Sequence, residues 1–447
     1  MTMGIGNLDI RKFTKLTLAI GLVFGLSACG LWEVEEKPLP GKRISIMLLE
    51  SDLEPDTRLA DLPVRLPQPY ANVEWLQNGG YSDHAMHHLS LSDNVTEAWS
   101  VSIGDGGDEE ERLLNTPVVA GGLVYTMDAD FELRAFNAEN GKLIWSRELA
   151  VPDEDTEAFG GGIAYLGGVI FVSTGFAEVV AVDARNGDEI WRESVSGPVR
   201  SSPTASAKNI YVTTIDNQVF ALDSKTGETK WVHSGFSENA GLLGGSSPAV
   251  SDGIVIVPFS SGELFALRAD TGRVVWSDNL TSLRRVDALS SLADIRGAPV
   301  VDRGVIYAIS HSGRMAAIDM KTGGRVWDKR LSSTQMPWVA GEFIFVLTTD
   351  NFLVAITRRG GRVKWLTPLP SWLDPEDKED AITWVGPILA GNRLVLANSA
   401  DQVWAVSPYT GEPLGSIDVG SPIRVAPVVA NGTAYIQTEN GELIAYR

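Results

Sequence analysis

Tryptophans at positions 99, 145, 191, 231, 276, 327 and 365 lie 46, 46, 40, 45, 51 and 38 residues apart. Self-similarity at such a period means a chain built from one repeated supersecondary unit that buries its apolar face only against its neighbours. From Trp145 onward each of these residues closes the same phrase: Asn137 to Trp145 reads NAENGKLIW, Asp183 to Trp191 DARNGDEIW, and Asp223 to Trp231 DSKTGETKW, with Trp276, Trp327 and Trp365 ending three more. A seventh copy, Ser407 to Gly415 (SPYTGEPLG), keeps the turn and lacks the Trp. Gly141, Gly187, Gly227, Gly272, Gly323 and Gly411 suit the positive φ of a tight hairpin, and Asn137, Asp183, Asp223 and Asp319, each four places ahead of its Gly, suit acceptance of turn amides. Each phrase therefore predicts a hairpin between two strands.

Two further strand signals precede each hairpin. Thr116-Pro117-Val118-Val119 leads through Gly122 to Leu123-Val124-Tyr125, and Ser247-Pro248-Ala249-Val250 leads through Gly253 to Ile254-Val255-Ile256. Four short strands in about 44 residues make one propeller blade. First-strand signals fall at Pro117, residues 160–163, Pro203, Pro248, Pro299, Trp338, Pro387 and Pro427. The last unit ends on its third strand, Glu442 to Tyr446, whereas Asn94 to Trp99 reads as a fourth strand without a blade. The expected fold is thus all-β: an eight-bladed β-propeller of four-stranded antiparallel blades over residues 75–447, its ring closed by an N-terminal strand that removes the free edges of an open sheet. Only residues 280–292 carry a helical period.

The segment ahead of the ring is of a different kind. Residues 1–28 read as an export signal: Arg11, Lys12 and Lys15 precede an apolar stretch from Leu16 to Leu26 that is too short to span a bilayer. The chain's one cysteine, Cys29, follows Leu26-Ser27-Ala28, the pattern of a bacterial lipobox in which the thiol is lipidated. A single cysteine excludes an internal disulfide and any Cys-rich metal site. Gly30, in place of an Asp, points to the outer membrane, with the chain lipid-anchored on the periplasmic face. Residues 29–74 hold Pro38, Pro40, Pro55, Pro63, Pro67 and Pro69, as an extended tether would, and Lys42 to Leu49 suits one edge strand.

Against 57 acidic residues stand 37 basic ones, net −20. Phosphate binding rests on clustered Lys and Arg, so no nucleic acid is expected as a partner. His84, His87 and His88 have the spacing of metal ligands on one helix face, but Gly79-Gly80 and Ser82 before them and Ser90 after them read as loop, and no metal site is expected. There is no Gly-rich phosphate loop, Gly-x-Ser-x-Gly elbow or ordered Ser/His/Asp set, hence no catalytic residue to name.

The repeat resembles that of the quinoprotein alcohol dehydrogenases, and Trp75-x-x-x-Gly79-Gly80 followed by Asn94-Val95-x-x-Ala98-Trp99 resembles their opening. That resemblance implies Trp residues packed between blades. In an enzyme it further implies a stacked quinone, a Ca²⁺ held by Glu, Asn and Asp and, in many members, a vicinal disulfide that one cysteine does not supply. Lipobox, ring and length together resemble the BamB family of propeller lipoproteins, over nearly all of the mature chain. This implies a non-enzymatic scaffold of the outer-membrane β-barrel assembly machinery, without a cofactor. It would dock on the BamA subunit beside other subunits, meet unfolded outer-membrane proteins and hold outer-membrane lipid through Cys29. The family's BamA contact is made by loops before the first strands of consecutive mid-ring blades, which match residues 242–248 and 292–299. Residue by residue, its Leu and Arg fall on Leu242 and Leu243, and its two Asp on Asp294 and Arg296, so an Arg has become Leu and an Asp has become Arg. The alternative is a membrane-tethered, quinone-dependent oxidoreductase.

Overall fold

Each repeat folds as a four-stranded antiparallel sheet in the computed structural model, which describes residues 53–107, 113–149, 160–238, 242–281 and 293–447. Cys29, the signal segment, the stretch from Lys42 to Leu49 and most of residues 280–292 lie outside the described residues. Blade 1 runs outward from the axis as Val118–Ala120, Leu123–Met127, Glu132–Asn137 and Leu143–Glu148. Blades 2 to 7 repeat it, with innermost strands at Gly162–Leu166, Thr204–Ser206, Ala249–Ser251, Gly297–Asp302, Trp338–Ala340 and Trp384–Ala390. Blade 8 takes Val428–Ala430, Thr433–Gln437 and Glu442–Tyr446 from one end of the sequence and its outermost strand, Glu97–Ser102, from the other. The N-terminal strand closes the ring as the sequence implied.

The repeat phrase is explained by one cross-strand row. In the register of each blade, a residue of the second strand, an Ala of the third and the Trp of the fourth stand side by side. The rows are Tyr125–Ala135–Trp145, Phe171–Ala181–Trp191, Tyr211–Ala221–Trp231, Ile256–Ala266–Trp276, Tyr307–Ala317–Trp327, Phe345–Ala355–Trp365 and, across the closure, Tyr435–Ala445–Trp99. The small Ala lets the flanking rings meet above it, as between Tyr125 and Trp145 at 6.0 Å. Blade 7 departs from the pattern: its row is Val395–Ala405–Gly415.

Each Trp also locks its blade to the next. The indole N–H of Trp145 donates to the Ala184 carbonyl of blade 2 at 3.1 Å, that of Trp191 to Ser224 at 3.2 Å and that of Trp276 to Met320 at 2.8 Å. Trp99, Trp231, Trp327 and Trp365 do the same to Ala138, Ala269, Arg358 and Pro408. The ring then lies on the glycine of the neighbouring hairpin: a Cβ on Gly227 (φ +79) would stand 2.7 Å from the Trp191 ring. Two sequence signals that look independent, the turn Gly and the Trp a repeat earlier, are thus two halves of one contact.

Residues 72–89 occupy the axis and bond to the eight blades in ring order. The Asn72 carbonyl accepts from Asn431 N–H, Trp75 exchanges two 2.8 Å backbone bonds with Val119, and the Leu76 carbonyl accepts from Tyr165 N–H. The Gln77 side chain takes Ala205 N–H, and the carbonyls of Ser82 and Asp83 take Val250 and Val301 N–H. His87 O accepts from the Trp338 indole, and Leu89 N–H donates to Leu389 O. The compact unit itself spans Leu53–Arg447. The described part of the segment read as tether, residues 53–74, therefore lies packed on the ring: Asp56 N–H donates to Val363 O, and the Lys364 ammonium holds the carbonyls of Leu59 and Ala60. A hairpin that the sequence did not announce, Trp372–Asp374 with Glu379–Ala381, stands between blades 6 and 7.

Candidate partner-binding site

The two loops singled out by sequence each connect the outermost strand of one blade to the innermost strand of the next, blade 3 to 4 and blade 4 to 5, so they emerge at the same end of the ring. They meet. The Leu242 N–H donates to Asp294 Oδ2 at 3.2 Å, and the Asp294 carbonyl accepts from His311 N–H. The Arg296 guanidinium lies over Gly244, where a Cβ would stand 2.6 Å from its Nη2; the φ of +94° there makes glycine doubly required. Leu242, Leu243 and Arg296 are half-buried, whereas Asp294 is buried. Loss of hydration pushes the Asp294 carboxyl up from its ordinary value, opposed by the Leu242 N–H and the charge of Arg296.

The base of the first loop is fixed. Ser247 Oγ donates to Ser202 O, Thr204 Oγ1 donates to Pro248 O, and Asn78 of the axial segment reaches Ser247 Oγ at 3.3 Å. Between the loops and the second-to-third-strand turns of blades 3 and 4 lies a shallow cavity of about 210 Å³, with Arg200, Ile215, Leu242 and Asp294 on its wall. Phe236, 74% exposed, stands on the same connection, its backbone tied to Glu263 and Asn217. Sequence reasoning missed Ile215, Phe236 and Arg200. The one available signal was an aromatic between Gly235 and Ser237, where a solvated connection has no use for it. The arrangement is one apolar loop tip, Leu242 and Leu243, beside a buried carboxylate and a guanidinium from the second loop, a surface suited to a protein partner.

The histidines do not converge. His84 Nδ1 lies 2.8 Å from the Pro299 carbonyl, His87 Nε2 3.7 Å from Asp302, and His88 bridges Pro67 O and Asn392 N–H. Among the described residues no group of three His, Cys, Asp or Glu side chains could hold a metal ion. The axis of the ring is where a quinone would have to sit. Its cavity, floored by Trp75, Asn78 and Gly79, measures about 140 Å³ and is lined by Arg296 and Arg424 but by no carboxylate. Pockets for cofactor-sized ligands run to roughly 300–1,000 Å³. The residues present do not fit a quinone with its Ca²⁺, because the chain's own axial segment fills the space.

Eight four-stranded blades, seven of them ending on an interblade Trp, define the class: a propeller of the quinoprotein-type repeat. Within that class the family model for outer membrane protein assembly factor BamB matches residues 89–157, 129–367 and 372–447. The chain belongs to this family. The outer membrane protein assembly factor BamB of Yersinia pestis is 26% identical over 360 residues, 78% of this chain and 88% of that one. The crystal structure of BamB from Moraxella catarrhalis is similar with a TM-score of 0.67 at 21% identity, covering 79% of this chain and 100% of the other. The quinohemoprotein alcohol dehydrogenase of Comamonas testosteroni, at 13% identity and a TM-score of 0.63 over 83% of this chain and 80% of its own, shares the fold alone.

Proposed function

We propose that the chain is a non-enzymatic scaffold lipoprotein of the outer-membrane β-barrel assembly machinery, docking on BamA and assisting insertion of unfolded outer-membrane proteins beside the other subunits. Cys29 carries the lipid and holds the ring at the periplasmic face of the outer membrane. Among the described residues no helix is long and apolar enough to cross a membrane, and the reading gives attachment to that lipid. Family membership supports the setting. The observation that carries the docking face is the hydrogen bond from Leu242 to Asp294, which makes one patch of two loops from different blades.

The test is co-purification from native membranes. Leu243→Asp places a carboxylate in a patch that docking would desolvate, at a cost of several kcal/mol by the general rule for unpaired buried charge. Arg296→Gln, its companion, removes a charge without setting a second carboxylate beside Asp294, as Arg296→Glu would. The double variant is expected to stay folded, with a small fall in melting temperature from the charge lost beside Asp294, and to lose BamA. Retention of BamA by the folded variant moves the interface elsewhere on the ring. Cys29→Ala is expected to release a folded ring into the soluble fraction, and a variant still held in membranes stripped of partners would contradict the anchor.

A further inference from the structure

At the junction of blades 7 and 8 the row that elsewhere carries an aromatic pair reads Val395–Ala405–Gly415. The space that the missing rings would fill is present as a hollow of about 610 Å³, and Val395, Ala405 and Gly415 all lie on its wall with Val95, Trp404 and Tyr446. A Cβ built on Gly415 meets nothing within 4 Å. The outer strand beside it, Pro413–Asp418, is exposed throughout, with Leu414 and Ile417 turned to solvent. No hairpin of the next blade covers the hollow, since the outer strand of blade 8 comes from residues 97–102.

Charge narrows what fits. Two charged residues line the hollow, Asp93 and Arg393, and the Arg393 guanidinium is already held by the Ser92 carbonyl and faces Asp93 at 3.8 Å. The flanking strands add Glu97, Asp418 and Glu442, and the turn into Pro413–Asp418 adds Glu412, against one exposed cation, Arg447. The carboxylates of Glu97 and Glu442 bear on the Tyr446 hydroxyl, which they and burial push up. We propose that this hollow takes the aromatic side chain of an extended, basic peptide segment of a partner, seated where Trp stands in the other blades. Seven internal copies show the mode: an indole carried by an outer strand, lying over an Ala. Desolvation of the ring supplies affinity and the acidic rim selects Lys or Arg beside it.

The probe is a fluorescein-labelled peptide, Lys-Thr-Val-Trp-Val-Thr-Lys, titrated into the full chain and read by anisotropy. Saturable binding is expected, weakened about tenfold or more when Ser replaces its Trp or Glu replaces both Lys. Two variants fill the hollow from within. Gly415→Trp restores the repeat at a position whose φ of +147° strains any side chain. Val395→Tyr restores the ring seen at the same place in other blades and decides the matter should Gly415→Trp fail to fold. A folded Val395→Tyr chain is expected to lose binding about tenfold with its melting temperature kept. Equal affinity for the Trp and Ser peptides, or for parent and Val395→Tyr, overturns the proposal. So does a dimer of the parent, seen by sedimentation, that Val395→Tyr dissolves, because the hollow would then belong to a second copy.

Discussion

The junction between blades 1 and 2 and the junction between blades 7 and 8 solve the same packing problem differently. At the first, Trp145 lies on Gly187 and donates to Ala184, so a ring from one blade is gripped by the hairpin of the next. At the second the outer strand carries no Trp in the row and no hairpin faces it, and the chain running from the axis bridges the gap: Leu89 bonds to Leu389 and Gly391, and Arg393 holds Ser92. The lock needs both halves. Where topology removes the hairpin, an indole would keep the hollow but lose the turn glycine that grips it, and the sequence has a glycine there. Closure is locked all the same, because Trp99 brings its own indole to Ala138 of blade 1.

Removing Glu97–Ser102 breaks the comparison most severely, since it strips blade 8 of its outer strand and deletes the Trp99 lock. The expected loss is comparable with the whole stability of a domain, about 5–15 kcal/mol, and a chain without a cooperative denaturant transition is the outcome to look for. Trp145→Ala should cost about 3–5 kcal/mol, whereas Gly415→Ala breaks no lock and meets only the strain of its φ, and should move the urea midpoint less. Equal shifts would mean that the locks carry no special weight.

The axial segment sharpens the contrast through pH. His84 is fully buried against the Pro299 carbonyl, and burial pushes its imidazole down to about 4. A group depressed in the folded state takes up its proton more readily when unfolded, so stability is complete above about pH 6.5 and falls as the pH drops toward 4. The loss is on the order of 2–3 kcal/mol. His84→Gln should flatten that limb of a stability profile measured from pH 7 to pH 4. The smallest effect separates conformation from contact. Gly227→Ala and Gly253→Ala both force a side chain into positive φ, but only the first meets a tryptophan. The first should exceed the second by about 1–2 kcal/mol in matched unfolding curves.

Blade number, strand order and closure were legible because the constraint repeats: a turn Gly, a small Ala and a Trp recur wherever a hairpin must grip a ring. The axial segment was not. Its contacts are a few bonds to each blade, reaching from 44 residues away (Trp75 to Val119) to 359 (Asn72 to Asn431), which leave no period in Asn72 to Leu89, and Trp75 with the paired glycines resembles the opening of the quinoprotein dehydrogenases. The hairpin at 372–381 escaped for a related reason: it belongs to no repeat. At the loop site, Leu242, Leu243, Asp294 and Arg296 came from family likeness, and the structure joins their two loops through Leu242 and Asp294 and through Gly244 and Arg296. Phe236 and Ile215 had no such guide, since one exposed apolar residue in a connection carries no pattern.

The path of residues 72–89 past every blade sets an order of events. A ribosome makes that segment first, yet its last bonds are to blades 7 and 8, near residues 389 and 431. Loop closure over such distances is slow relative to the local pairing of a hairpin. Blades can form one by one as they are made, but the axis is threaded and the ring sealed only after the final blade exists. Until then Trp75 and Leu89, both buried in the finished ring, are exposed apolar residues ahead of the blades, of the kind that a chaperone holds.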